Sequence, residues 1–308
     1  MRQTVAAITI AICLVLSSCV NDRGGTDDAE HIQAVTSFSI LADMVQEIGG
    51  DRVGVHNLVP TGTDPHEYVP KPEDIKHAAD AHVVFYNGLN LEGGSSGWFA
   101  KLMDSVDQDD DHIFAATTGV DPLTLTDHNH RDEHVNPHAF IDPNVGVTMA
   151  KNIRDALIAT DPDHETDYRE NAHGYIAELE SLAKQYARKI QDIPEERRII
   201  ITSERAFQYL ADRYGLQEGY IWAIDTEENG TPEQIKSLIR LISDNDVPGV
   251  FVESNVDPRP MESVAKEVGV PIAGTLYSDE IGTAGSDADT YLSYLQHNID
   301  VIHSVLAG

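Results

Sequence analysis

Two histidines of this chain sit in loops stiffened by proline. In Thr63-Asp64-Pro65-His66-Glu67-Tyr68 and in Asn136-Pro137-His138-Ala139-Phe140, the imidazole directly follows Pro, so a backbone of restricted freedom can aim it. Two carboxylates stand in a different setting. Glu204 follows the apolar run Ile199–Ile201 through Thr202-Ser203, and Asp279 comes three residues after Leu276. The carboxyl ends of parallel strands are where open α/β sheets hold ligands, and imidazole and carboxylate are ligand types for divalent transition metals. Each residue alone also has an ordinary reading. Either His could be structural or merely exposed, and either acid could be a helix N-cap or first-turn acid.

The chain has 14 histidines, so each needs a reason to be singled out. The segment Asp127-His128-Asn129-His130-Arg131-Asp132-Glu133-His134 is rich in His and acid. An auxiliary metal-collecting loop and a solvated polar loop both fit it. For His56, His77, His82, His112, His164 and His173 nothing in the sequence supports a ligand role.

Positioning four such groups requires an α/β framework. From His31 onward, short β-rich runs alternate with helical patterns, the signature of βα units and parallel sheet. The expected strands are Ile32–Thr36, Val53–Leu58, His82–Tyr86 and His112–Ala115, then Ile199–Thr202, Tyr220–Ala223, Gly249–Val252 and Ile272–Thr275. Expected helices include Ile40–Ile48, Pro72–Ala79, Pro232–Ser243, Met261–Val268 and Tyr291–Leu306, with a further one just after Asn136–Pro143. Thr231-Pro232-Glu233-Gln234 has the order of a capping box with Pro in the first turn. Between the halves, Tyr175, Leu179, Leu182 and Tyr186 recur at helical spacing up to Pro194. One helix there would reach about 45 Å as a stiff spine; the alternative is two helices broken near Gly174. The fold expected is two (β/α)4-type lobes with parallel sheets, joined by a long rigid backbone helix. The divisions are an N-terminal lobe at 31–163, the linking helix at 164–193 and a C-terminal lobe at 194–308.

Before the first lobe stands an address. Met1-Arg2 is a short basic start, and Val5–Leu16 is an apolar run of about 18 Å as a helix, too short for a bilayer core of about 30 Å. This favours a signal peptide at 1–18. Leu16-Ser17-Ser18-Cys19 resembles a bacterial lipobox, which makes Cys19 the expected lipidation site and anchors the protein to the membrane by acyl chains. Residues 19–30 are polar and Gly-containing, and read as a flexible tether.

Composition narrows the function classes. Against 52 acidic residues stand 21 basic ones, a formal net charge of −31; such a surface repels nucleic-acid phosphates and anionic lipid. The two cysteines fall within the first 19 residues, so neither a disulfide framework nor a Cys-rich zinc site is available.

The order and context of the four residues closely resemble the metal-binding receptor lipoproteins of ABC importers for manganese and zinc, the periplasmic solute-binding protein family 9. The matching segments are DPHEY at 64–68, NPHAFIDP at 136–143, TSERAFQYLADRYGL at 202–216, IWAIDTEENGTPEQI at 221–235, VFVESNVDPRP at 250–260 and SDEIG at 278–282. One departure is Asn136, where Asp often precedes the Pro-His pair. The resemblance implies that His66, His138, Glu204 and Asp279 are the metal ligands, two from each lobe. Two imidazoles and two carboxylates form a neutral shell around a divalent ion, and the carboxylates extend tolerance toward manganese. Glu204 favours manganese where a third His would favour zinc; zinc and ferrous iron remain possible. The resemblance further implies an extracytoplasmic, lipid-anchored receptor that delivers the ion to an ABC permease, a monomer, and not an enzyme. A zinc-specific receptor and, in a different class, a surface adhesin lipoprotein are the alternatives. A secreted metallohydrolase would need an open coordination position and a general base, and no HExxH or nucleophile elbow is present.

Overall fold

Four parallel strands organise the first half of the chain: β1 (Ile32–Thr36), β2 (Val53–Asn57), β3 (Val83–Tyr86) and β4 (Ile113–Ala115), in the spatial order β2-β1-β3-β4. The computed structural model describes residues 31–125, 134–223 and 230–308. The signal segment, Cys19, the tether, and His128 and His130 therefore lie outside the described residues. Helix α1 (Ser39–Gly49) covers the sheet through Ile40, Leu41, Met44, Val45 and Ile48, all buried, a stripe at helical spacing. Helices α2 (Pro72–Ala79) and α3 (Trp98–Ser105) follow, then an antiparallel pair of two-residue strands, β5 (Thr124–Leu125) and β6 (His134–Val135), and then α4 (Pro143–Thr160). His134, the described histidine of the 127–134 segment, is exposed on β6.

The connection between halves is one uninterrupted helix, α5 (Glu165–Asp192). No break occurs at Gly174, whose position is exposed with open space around it. Its propensity cost of about 1 kcal/mol is outweighed by burial of Tyr168, Ala172, Tyr175, Leu179, Leu182, Tyr186 and Ile190 along one face. That face rests on α1 and α4.

The second half supplies β7 (Ile199–Glu204), α6 (Gln208–Tyr214), β8 (Gln217–Trp222), α7 (Pro232–Asp244), β9 (Val250–Glu253), α8 (Arg259–Val268), β10 (Ile272–Leu276) and α9 (Tyr291–Leu306). Its four strands are parallel but form two ladders, β7 with β8 and β9 with β10, while β7 runs beside β9. The capping box at Thr231 is present, with Gln234 N–H donating to the Thr231 hydroxyl. Helices α3 and α6 and the small antiparallel pair were not expected from sequence. They are only two to eight residues long, too short to show a helical or strand period, and neither helix opens on a proline as the equally short α2 does.

One hydrophobic cluster runs from Ala34 and Phe85 through Tyr175 and Tyr186 of α5 to Ile299 and Leu306 of α9. A second, smaller cluster lies under β7–β9, α7 and α8. The halves thus share a core. Tyrosines fasten them further: Tyr186 donates to Leu295 O at 2.6 Å, and Tyr291 donates to Phe140 O at 2.5 Å.

Candidate metal centre

The two proline-histidine motifs fold the same way. Asp64 Oδ1 accepts from the His66 N–H at 2.7 Å, and Asn136 Oδ1 accepts from the His138 N–H at 3.0 Å. Each is an Asx turn with Pro at its centre, a conformation the Asx-Pro pair favours. The first loop is also anchored from outside: Trp98 Nε1 donates to Pro65 O at 2.8 Å, and Tyr68 donates to Asp74 Oδ2 at 2.8 Å.

Around His138 the hydrogen positions can be deduced. Asn136 Nδ2 donates to Arg205 O at 2.9 Å and to Gln208 Oε1 at 3.0 Å. A backbone carbonyl only accepts, so the other amide atom facing His138 is the oxygen. His138 Nδ1, 2.8 Å from that oxygen, therefore carries the hydrogen and donates, and Nε2 points the other way, into the pocket.

The carboxylates are held with equal care. All six residues of β7 are buried, which carries Glu204 into the interior at the strand's end. There the N–H groups of Ser203 and Glu204 both donate to Glu253 Oε1 at 2.9 Å. Asp279 Oδ2 accepts from Asn255 Nδ2 at 3.1 Å, while Asn255 Oδ1 accepts from Ser278 Oγ at 2.8 Å. Tyr294 in turn donates to Ser278 O at 2.8 Å.

These supports leave the outward-facing atoms converging. One ligand atom each of His66, His138 and Glu204 lies within 4.8 Å of the other two. His138 Nε2 is 3.1 Å from Asp279 Oδ1 and 3.8 Å from Glu204 Oε1, and the two imidazole rings are 5.4 Å apart at an angle of 57°. Atoms bound to one ion at about 2.1 Å stand about 3 to 4 Å apart, so the spacing suits a shared cation. His138, Glu204 and Asp279 are at most 2% exposed. His138 Nε2, both Glu204 oxygens and Asp279 Oδ1 have no aligned hydrogen-bond partner. Leaving buried polar atoms unpaired costs about 1–3 kcal/mol each, and a bound cation would satisfy all of them together.

The electrostatics agree. Burial opposes the charge on His138, but neighbouring Asp279 and Glu204 outweigh it and push its pKa up to about 9. Burial, reinforced by Asp279 and Glu253, raises Glu204 despite the pull of His138. Asp279, though buried, is held low by His138 and His66. These shifts favour protons on His138 and Glu204 and a charge on Asp279 in the metal-free pocket; a divalent cation would supply positive charge in their place.

Four other described histidines are used elsewhere. His56 Nε2 lies 2.9 Å from Asp74 Oδ1, and its ring stacks on His77. His82 Nδ1 accepts from Gln33 N–H at 2.9 Å, and His164 pairs with Asp161. Sequence reasoning missed Trp98, Glu253 and Asn255 as supports and saw Asn136 only as a departure. The stretch VFVESNVDPRP contains Glu253 and Asn255, but nothing local in it says that they reach residues on other strands.

Comparison with known proteins bears on the same region. Residues 34–305 match the ZnuA family, described as zinc-uptake complex component A, periplasmic. The metal ABC transporter substrate-binding lipoprotein SsaB of Streptococcus sanguinis is 39% identical over 301 residues, 97% of each chain. The manganese ABC transporter substrate-binding lipoprotein PsaA of Streptococcus mitis is 39% identical over 96% of this chain and 95% of its own. The Mn-bound periplasmic metal-binding protein of Candidatus Liberibacter asiaticus superimposes with a TM-score of 0.80 at 28% identity, covering 89% of this chain and 99% of its own. With a match running through both halves of the fold and every element of the pocket, the chain belongs to the ZnuA family of metal-binding receptors for ABC importers.

Proposed function

We propose that His66, His138, Glu204 and Asp279 enclose a divalent transition metal, manganese in preference to zinc or ferrous iron, as cargo for an ABC permease. The observation that supports this reading most is that one ligand atom each of His66, His138 and Glu204 lies within 4.8 Å of the other two, with Asp279 Oδ1 3.1 Å from His138 Nε2. Two carboxylates neutralise a divalent ion, and a carboxylate can bind through both oxygens, which raises coordination beyond the four that zinc favours. The family is one of solute-binding receptors rather than enzymes. In the same reading, residues 1–18 are a leader, Cys19 carries the lipid, 19–30 are the tether, and the lobes at 31–163 and 194–308 work as a monomer about the 164–193 helix. The relatives named lipoproteins support the anchor. No helix among the described residues is long and apolar enough to cross a membrane.

The test is calorimetric titration of Mn2+ and Zn2+ into the parent, Glu204→Ala and Asp279→Ala. Loss of at least about tenfold in affinity in both variants is expected; parent-like affinity in either would remove that residue from the site. Retention of Cys19→Ala protein in the membrane fraction would refute the anchor.

A further inference from the structure

Asn136 is fully buried, and it bonds in two directions at once. Its Oδ1 receives the N–H and Nδ1–H of His138, while its Nδ2 binds Arg205 O, the carbonyl next to Glu204, and Gln208 Oε1 of α6. Its own carbonyl accepts from Tyr209 at 2.9 Å, and the Tyr209 hydroxyl accepts from Leu123 N–H at 2.9 Å. A single amide therefore sets the direction of one candidate ligand and ties it to the strand end that carries another, from the opposite half of the chain.

We propose that Asn136 is a positioning residue for metal capture: its side-chain oxygen holds the His138 Nδ1–H, so that Nε2 faces the ion and is the nitrogen that gives up its proton to it. The inference rests on the site proposed above. The fit is specific to an amide. Only a group with an acceptor on one side and a donor on the other satisfies both the His138 ring N–H and the Arg205 carbonyl. An amide also adds no charge to a pocket already holding Glu204 and Asp279, with Glu253 directly behind. An imidazole without this partner would divide between tautomers and ring orientations, and the misdirected fraction would be lost to binding.

Four variants separate the possibilities. Asn136→Leu removes both bonds; Asn136→Asp keeps the acceptor for His138 and removes the donor to Arg205. His138→Ala tests the site itself, and Asn136→Ala stands in if the leucine variant does not fold. Mn2+ affinity is measured by calorimetry. Ring protonation is read from long-range 1H–15N spectra of the Zn2+-loaded protein. Asn136→Leu is expected to weaken Mn2+ binding by about 10- to 100-fold, with the His138 ring signal split or broadened. Asn136→Asp is expected to recover most of that loss and keep the Nδ1–H signature, although both variants melt at lower temperature than the parent. If the leucine or alanine variant binds as the parent does, or the aspartate variant is as weak as the leucine one, the positioning role is wrong. If His138→Ala binds Mn2+ as the parent does, it is the site that is wrong.

Discussion

His138 Nε2 and Asp279 Oδ1 come within 3.1 Å of each other without making an aligned hydrogen bond. The rest of each group is committed: His138 Nδ1 to Asn136, Asp279 Oδ2 to Asn255. Two halves of the chain thus bring an imidazole and a carboxylate face to face in a buried pocket, where the proposed cation would lie. The account of this protein as a metal receptor depends on that arrangement.

Metal uptake should release protons. Flanking carboxylates push His138 up to about 9, so the imidazole is protonated in the metal-free protein at neutral pH, whereas only the neutral ring coordinates. Titrations of Mn2+ near pH 7.5 in buffers of different ionisation enthalpy are expected to report release of more than one proton per ion, from His138 and from Glu204, whose pKa burial raises to about 8. Affinity should rise with pH up to about 9. Uptake with no proton release would argue against His138 as a ligand.

Glu253 should act through Glu204. Its carboxylate holds the N–H groups of Ser203 and Glu204, and without it two buried donors lose their acceptor. Glu253→Ala is expected to cost on the order of 2–4 kcal/mol in chemical denaturation and to weaken Mn2+ binding, with Glu253→Gln restoring most of both. An alanine variant as stable as the parent would show that the contact is dispensable.

A cross-lobe contact bears on release. Gly62 N–H donates to Glu280 Oε2, and Ile281 N–H donates to Ser39 Oγ at 3.1 Å. These bonds join the loop before His66, and the start of α1, to the segment that carries Asp279. Glu280→Ala should speed Mn2+ dissociation by roughly tenfold, the kinetic equivalent of one hydrogen bond of about 1.4 kcal/mol. Stopped-flow mixing with a chelator measures it; an unchanged off-rate would show that release does not pass through this contact.

The fold was legible where periodicity is long or a start signal, a first-turn proline or a capping box, is explicit. Helices α2 and α9 match their expected limits, and the Thr231 box starts α7 as its residues imply. The candidate ligands were legible through the family resemblance of their motifs; from residue type alone each remained ambiguous. Their supports were not, because they act across the chain. Asn136 meets Arg205 on another strand's end, Glu253 meets Ser203, and Trp98 meets Pro65, and no local spacing encodes such pairs. Helix α6, which carries Tyr209 and Gln208 to the Asn136 loop, is seven residues long and too short to announce itself by period.

Away from the pocket, Glu92 should make stability pH-dependent. It is fully buried, and burial raises its pKa from 4.5 to about 7 despite hydrogen bonds from Ser37 Oγ and Asn87 N–H. A carboxyl with a raised folded-state pKa contributes stability that is complete below its unfolded value and is lost as pH rises through the folded value. The parent should therefore lose up to about 3 kcal/mol from this group between pH 4.5 and 8. Glu92→Gln lacks that dependence, so its stability relative to the parent should improve from pH 5 to pH 8. Parallel curves would mean that Glu92 titrates normally.

The central claim is tested most directly by anomalous diffraction at the manganese edge from crystals of the Mn2+-loaded protein. The account predicts one strong peak within about 2.0–2.5 Å of His66, His138 Nε2, Glu204 and Asp279 Oδ1 together. A peak held by other residues, with these four still facing one another and no ion between them, would contradict it.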